Sequence, residues 1–136
     1  MTYLLDTNTC VRYLNKRSLA VINRLRNTPE SEITLCSVVK AELYFGAMKS
    51  QNPEATIQGQ RVFVERFTSL AFDDVAANYY AQIRADLTKK GTPIGGNDLM
   101  IAAIALANGL ILVTHNTREF GRVTHLEIED WETDTT

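Results

Sequence analysis

The chain has 136 residues, of which 45% are hydrophobic and 22% are charged, and its formal net charge at pH 7 is −2. This length and composition are typical of one globular domain that folds without disulfides or a structural metal. Two cysteines without CxxC spacing exclude a disulfide-rich scaffold, so we expect Cys10 and Cys36 to be reduced residues of the core. The sequence shows no signal peptide and no apolar run of the roughly 20 residues that a membrane helix needs. We therefore expect a cytoplasmic protein without a membrane segment.

The acidic residues are concentrated near the end of the chain. Five of the sixteen lie between Glu127 and Asp134, so residues 1–125 contain 14 basic and 11 acidic residues. A net positive body is compatible with a nucleic-acid partner, although for any single basic pair an ordinary solvated surface remains the alternative. The basic pairs are Lys16-Arg17, Arg24 with Arg26, Lys89-Lys90, and Arg118 with Arg122.

Along the chain, short apolar runs alternate with segments of helical periodicity. We predict a helix that Ser37 caps, a helix that Pro53 opens, and a helix that Asp73 caps and Gly91 ends. In chain order, the predicted strands are residues 3–5, 32–36, 69–72, 110–113 and 126–128, and the predicted helices are residues 9–15, 19–25, 38–48, 53–67, 74–90, 97–107 and 117–120. This alternation predicts an α/β fold with a mostly parallel sheet.

Ligands of parallel sheets bind beyond the carboxyl ends of the strands, which directs attention to the residues that follow each predicted strand. Asp6 follows the first strand, Ser37 and then Glu42 follow the second, and Thr114 to Glu119 follow residues 110–113. Asp98 lies in the first turn of a nearly all-apolar helix, behind a Gly-Gly loop.

Each of these acids also has an ordinary structural explanation. Asp6 is placed to cap the following helix, and Asp98 to cap or to interact favourably with its helix dipole. Glu42, with apolar or small neighbours three and four residues away, is placed to pair with Lys49 or Arg12.

Considered together, the acids have a common chemical meaning. Carboxylates brought close together repel one another unless a cation neutralises them, and Mg²⁺ takes oxygen ligands of this kind. Such an ion can activate a water molecule and stabilise charge on a phosphate. His115 and His125 lack zinc-ligand spacing, and the chain has no GxxxxGK[ST], GxGxxG or GxSxG motif.

Four sequence blocks occur in an order known from one family. They are Leu4-Leu5-Asp6-Thr7-Asn8, Ala41-Glu42-Leu43-Tyr44-Phe45-Gly46-Ala47, Pro93-Ile94-Gly95-Gly96-Asn97-Asp98 and Thr114-His115-Asn116-Thr117-Arg118-Glu119-Phe120. Together they resemble the VapC toxins, the PIN-domain ribonucleases of toxin–antitoxin pairs, and the match continues to Ile128-Glu129-Asp130-Trp131. The resemblance implies a PIN-domain α/β/α sandwich over residues 1–131, followed by a polar tail of residues 132–136.

The resemblance also implies a site. Asp6, Glu42 and Asp98 match the family's regular acids and would hold Mg²⁺, with Mn²⁺ as a substitute. Glu119 is assigned the fourth acidic position, through water, since Asn116 replaces an acid found in some relatives. The polar residues assigned to support these acids are Thr7, Asn8, Ser37, Thr114 and Asn116.

The implied activity is cleavage of structured RNA, with tRNA and the initiator tRNA anticodon loop as the favoured target. The implied partners are a VapB-type antitoxin and a second copy of the chain, which together form a hetero-oligomer. Two alternatives stay open: an aspartyl-phosphate phosphotransfer domain with Asp6 as nucleophile, and a PIN-like module that binds RNA or a peptide without cutting.

Overall fold

The computed structural model describes residues 1–133; residues 134–136, which belong to the predicted polar tail, lie outside the described part. Strands and helices alternate along the chain, with a short 3₁₀ turn at Glu30–Glu32 before the second strand. The strands are β1 (Tyr3–Leu5), β2 (Ile33–Cys36), β3 (Thr68–Leu70), β4 (Ile111–Val113) and β5 (Ile128–Glu129). The helices are α1 (Thr7–Leu14), α2 (Leu19–Arg26), α3 (Ser37–Met48), α4 (Pro53–Val64), α5 (Asp74–Lys89), α6 (Gly96–Ala107) and α7 (Thr117–Phe120).

The five strands form one sheet in the order β3-β2-β1-β4-β5, and every neighbouring pair is parallel. The predicted α/β fold is therefore confirmed, and the sheet is wholly rather than mostly parallel. Tyr3 lies opposite Ile33 of β2 and Ile111 of β4, so β1 is the central strand. The carboxyl ends of β1, β2 and β4 consequently meet at one edge, where Asp6 follows directly after β1.

The core lies on both faces of this sheet. Leu4, Leu5, Leu35 and Leu112 are completely buried, as continuous apolar strands covered on both faces should be. Helix α6 is buried nearly all round and packs extensively against α5. Both cysteines are free and completely buried, as predicted. Across residues 1–133, no helix is long and apolar enough to cross a membrane.

The helix ends mostly follow their capping residues. Asp73 accepts a hydrogen bond from the backbone N–H of Ala76, and Gly91 follows α5 with a φ of 69°, as the sequence predicted. The prediction for Ser37 was wrong. The extended residue before α3 is Cys36, and Ser37 already forms the first helical residue, so its hydroxyl does not cap the helix.

The end of the described chain is attached to the domain by side chains. Trp131 is buried, its ring meets that of Tyr3 edge-to-face at 5.2 Å, and the guanidinium of Arg24 lies 5.0 Å from its ring centroid. Its indole N–H donates to Glu129 at 2.9 Å. These contacts hold the segment after β5 beside β1, which brings residues 130–132 towards the carboxyl edge of the sheet.

Candidate metal centre

Asp6 both caps α1 and stands at the centre of the carboxyl edge. Its side chain is almost completely buried, and Oδ1 accepts a hydrogen bond of 2.8 Å from the backbone N–H of Thr9. Burial raises the pKa of Asp6, whereas hydrogen bonds from Thr114 and Thr9 act in the opposite direction. Asp6 therefore does cap α1, as one explanation from the sequence proposed. Because it also lies beside other acids, capping need not be its only role.

Glu42 is held by a neutral partner rather than by a base. The hydroxyl of Thr7, in the first turn of α1, donates to Glu42 Oε1 at 2.6 Å. The suggested pairing with Lys49 or Arg12 was wrong: Lys49 Nζ lies 4.5 Å from the centroid of the Phe45 ring, and Arg12 pairs with Glu132. Within residues 1–133, Glu42 thus has no basic partner, while its hydrogen bond with Thr7 fixes its orientation.

Asp98 experiences the charges of the other three predicted acids. Partial burial, followed by the charges of Glu42, Asp6 and Glu119 in that order, raises the pKa of Asp98 from 3.8 to about 6. This shift is the clearest sign that the four carboxylates belong to one electrostatic cluster, although they come from the junction of β1 and α1, from α3, from α6 and from α7.

Asn116 supports Glu119 instead of competing with it. Asn116 is the N-cap of α7, where its Oδ1 accepts from the Glu119 backbone N–H at 3.4 Å and its Nδ2 donates to Glu119 Oε2 at 3.3 Å. Its own backbone N–H donates to Thr114 Oγ1 at 3.0 Å. A chain of polar contacts therefore links Glu119 through Asn116 and Thr114 to Asp6.

The remaining supporting residues, Asn8 and Ser37, are exposed at the start of α1 and α3. Ser37 lines the same cavity as Glu42. The histidines are not part of the cluster: His125 is exposed, and His115 contacts the segment that follows β5.

Sequence reasoning missed Glu132, which it placed in the polar tail. Glu132 Oε1 lies 3.5 Å from Arg12 Nε, and its charge raises the pKa of Asp6. No sequence pattern marks this residue, because its position depends on how Trp131 folds the chain back onto the sheet.

The donor set fits a hard divalent cation. Among residues 1–133, no salt bridge involves Asp6, Glu42, Asp98 or Glu119. Within the same range, no group of three or more acidic, histidine or cysteine side chains is arranged closely enough to hold a metal ion by itself. Zinc in structural sites requires four protein ligands, whereas Mg²⁺ keeps several waters and needs only one or two carboxylates. The open group of oxygen ligands therefore suits Mg²⁺.

Comparison with known proteins identifies the family of this chain. The family model described as PIN domain matches residues 3–126. A tRNA(fMet)-specific endonuclease VapC from Shigella flexneri is 42% identical, with 96% of this chain and 98% of that protein aligned. Ribonuclease VapC2 from Haemophilus influenzae is 40% identical over the same shares of the two chains.

Solved structures agree with the sequence comparison. A chain of the DNA-bound VapBC structure from Salmonella typhimurium superposes with a TM-score of 0.91 at 39% identity, covering 96% of this chain and 98% of that one. A chain of VapBC-1 from nontypeable Haemophilus influenzae gives 0.89 at 35% identity, with 98% and 100% covered. This chain belongs to the PIN-domain family and, within it, to the VapC ribonucleases.

Proposed function

We propose that this chain is a Mg²⁺-dependent endoribonuclease and the toxin of a type II toxin–antitoxin pair. The observation that carries the metal-dependent reaction is the convergence of Asp6, Glu42, Asp98 and Glu119, whose charges act together on Asp98. Acids gathered in this way without a basic partner favour a bound cation over a structural ion-pair network. The relatives named as ribonucleases support RNA as the substrate class.

In the proposed reaction, Asp6, Glu42 and Asp98 hold Mg²⁺, and Glu119 acts through water. The ion supplies Lewis-acid stabilisation of charge on the phosphate and lowers the pKa of water. The chain supplies orientation: Thr9 and Thr114 fix the carboxylate of Asp6, and Thr7 fixes that of Glu42. These hydroxyl and backbone donors hold the ligands without neutralising them, so the negative charge stays available for the cation.

Asp98 also has the means to hold a proton. With a pKa of about 6, its carboxyl group exchanges a proton closer to neutral pH than an ordinary aspartate does. We propose that it is deprotonated when the cluster is loaded, since a protonated carboxyl is a weak metal ligand.

The finer assignments rest on the relatives. Those from Shigella flexneri and Salmonella typhimurium are named tRNA(fMet)-specific endonucleases, which favours initiator tRNA, cut in the anticodon loop, as the substrate. Unpaired loop bases are the accessible part of such an RNA. Solved relatives are VapBC complexes, which favours a VapB-type antitoxin as partner and a toxin–antitoxin hetero-oligomer. That the toxin is itself a homodimer is proposed from the family resemblance alone.

Induction of the wild-type chain and of Asp6→Asn, followed by sequencing of the RNA ends, tests the proposal. The substitution keeps an oxygen that caps α1 but removes the charge, so we expect folding to persist and cleavage to cease. Asp73→Asn is the matched control, because Asp73 caps α5 in the same manner and is absent from the carboxylate cluster. Full cleavage by Asp6→Asn, or a phosphate trapped on Asp6, would overturn the proposal.

A further inference from the structure

A second feature adjoins the carboxylate cluster. A cavity of about 340 Å³ lies between α3 and the start of α6, and Glu42 forms part of its wall. Its apolar lining includes Ala41, Phe45 and Met100, and its polar lining includes Ser37 and Asn97. Asn97 directly precedes Asp98, so two acids of the cluster lie at or beside this cavity.

Phe45 is unusual among the aromatic residues because its side chain is 63% exposed. It lies three residues after Glu42 on α3, and residues at this spacing occupy neighbouring positions on a helix surface. The ring therefore faces the cavity beside a proposed metal ligand. Lys49 Nζ lies 4.5 Å from the ring centroid, which places a cation next to the aromatic surface.

The polar lining residues have free hydrogen-bonding capacity. Ser37 and Asn97 are exposed, and the hydrogen bonds within residues 1–133 include none from either side chain. An aromatic ring, an amide that both donates and accepts, and a nearby ammonium are the groups with which proteins recognise unstacked RNA bases and the adjoining backbone.

The position of the cavity beside the carboxylate cluster favours an RNA base as its occupant. In the proposed function, on which this inference rests, the scissile phosphate lies at Asp6, Glu42 and Asp98. The nucleotides on either side of that phosphate are covalently attached to it, and the cavity that has Glu42 in its wall lies next to them. The alternative occupant, a second copy of the chain, would cover Phe45 without needing the adjoining acids or Asn97.

We propose that this cavity is a nucleobase subsite, in which Phe45 stacks on an unpaired base next to the scissile phosphate. Asn97 and Ser37 contact the edge of that base, and Lys49 contacts the neighbouring phosphate. The subsite selects RNA whose bases are splayed out at the cleavage point, and it excludes a continuous duplex, whose bases remain stacked.

The test uses an RNA oligonucleotide that spans the bond cut by the wild-type chain in total RNA. Phe45→Leu retains an apolar side chain and removes the aromatic face, whereas Phe45→Trp restores that face. We expect Phe45→Leu to weaken RNA binding by about 5- to 150-fold, as loss of one stacked base does, and Phe45→Trp to bind like the wild type. Val62→Ala is the control, because Val62 is 69% exposed and lies on α4, outside this cavity.

A modified RNA identifies the contact. An abasic nucleotide is placed first on one side of the cleaved bond and then on the other, and binding is measured for the wild type and Phe45→Leu. At one of the two positions, the missing base should weaken binding to the wild type but have little further effect on the variant, since both changes remove the same stacking contact.

Three outcomes would overturn the subsite. Phe45→Leu could bind RNA as tightly as the wild type, or the losses of affinity caused by Phe45→Leu and by the missing base could add at both abasic positions. Phe45→Leu could also change the oligomeric state while the RNA affinity of each chain stays unaltered. The last would assign Phe45 to a contact between copies, and sedimentation of every variant detects it. Failure here is distinguishable from failure of the ribonuclease proposal, because Asp6→Asn would still abolish cleavage.

Discussion

The hydroxyl of Thr7 donates a 2.6 Å hydrogen bond to Oε1 of Glu42, and this bond joins the first turn of α1 to the middle of α3. Thr7 follows Asp6 in the sequence, so one short turn of chain both supplies an acid and orients another. Because the donor is neutral, Glu42 is positioned without losing its charge.

Thr7→Val should lower cleavage by about 10- to 100-fold, as loss of an outer-shell contact to a metal ligand commonly does. Valine has nearly the same shape but cannot donate, so Glu42 would lose its orientation. Thr7→Ser keeps the hydroxyl and is expected to retain most of the activity. Steady-state cleavage measured over a Mg²⁺ titration checks this, and wild-type behaviour of the valine variant would show that the bond is dispensable.

Asp98→Asn should stabilise the metal-free protein at neutral pH. The pKa of Asp98 is about 6 in the folded state against 3.8 for an ordinary aspartate, so its ionised form disfavours folding above that range. After allowance for its half-buried position, we expect the free energy of unfolding to rise by about 1 kcal/mol. Urea unfolding in the presence of EDTA measures the change.

Mg²⁺ should reverse the order of stability of the wild type and Asp98→Asn. The ion stabilises whichever chain binds it, so added Mg²⁺ should raise the unfolding midpoint of the wild type more than that of Asp98→Asn. Asp86→Asn is the control, because Asp86 pairs with Lys90 on the surface of α5, away from the cluster. An equal response of all three proteins to Mg²⁺ would contradict a role for Asp98 as a ligand.

The affinity for Mg²⁺ should depend on pH around and below the pKa of Asp98, which is about 6. Since protons compete with the ion for Asp98, the apparent dissociation constant should rise about tenfold for each pH unit below the carboxyl's pKa of about 6. Above that pH, the dependence should flatten. Calorimetric titration of the wild type with Mg²⁺ over a series of pH values measures the effect, and Asp98→Asn should remove most of it. A flat profile for the wild type would contradict the competition.

The order of strands and helices could be predicted from the sequence, because each strand is a short apolar run that ends in polar residues. For the same reason Asp6 was found, since it follows β1 at the carboxyl edge of a parallel sheet. The boundary at Ser37 was misjudged because Cys36 adopts the extended capping conformation, which side-chain chemistry alone does not predict. The family resemblance, rather than periodicity, brought Glu42, Asp98 and Glu119 together.

The C-terminal segment was less predictable because its contacts are long-range. Asp130 and Glu132 contact His115 and Arg12, which lie far away in sequence. Ordinary composition rules classify this acidic stretch as a solvated tail. Burial of Trp131 against Tyr3, together with these contacts, places the carboxylates of this segment beside the cluster.

His115→Gln tests whether these contacts hold the segment. Nδ1 of His115 lies 2.9 Å from Asp130 Oδ2, and this hydrogen bond, together with the charges of Glu132 and Asp130, raises the pKa of His115 above 6.5. A histidine whose pKa is raised in the folded state stabilises the fold fully below the unfolded pKa, and this contribution is lost as pH rises through the folded pKa. The wild type should therefore exceed His115→Gln in stability at acidic pH and approach it at alkaline pH.

Because His115 is exposed, the difference in stability between the wild type and His115→Gln should stay below about 1 kcal/mol. His125→Asn is the matched control, since His125 is exposed with a φ of 69°, which asparagine tolerates. Urea unfolding of the three proteins across this pH range measures the effect, and a pH-independent difference between the wild type and His115→Gln would mean that packing, not charge, joins His115 to the C-terminal segment.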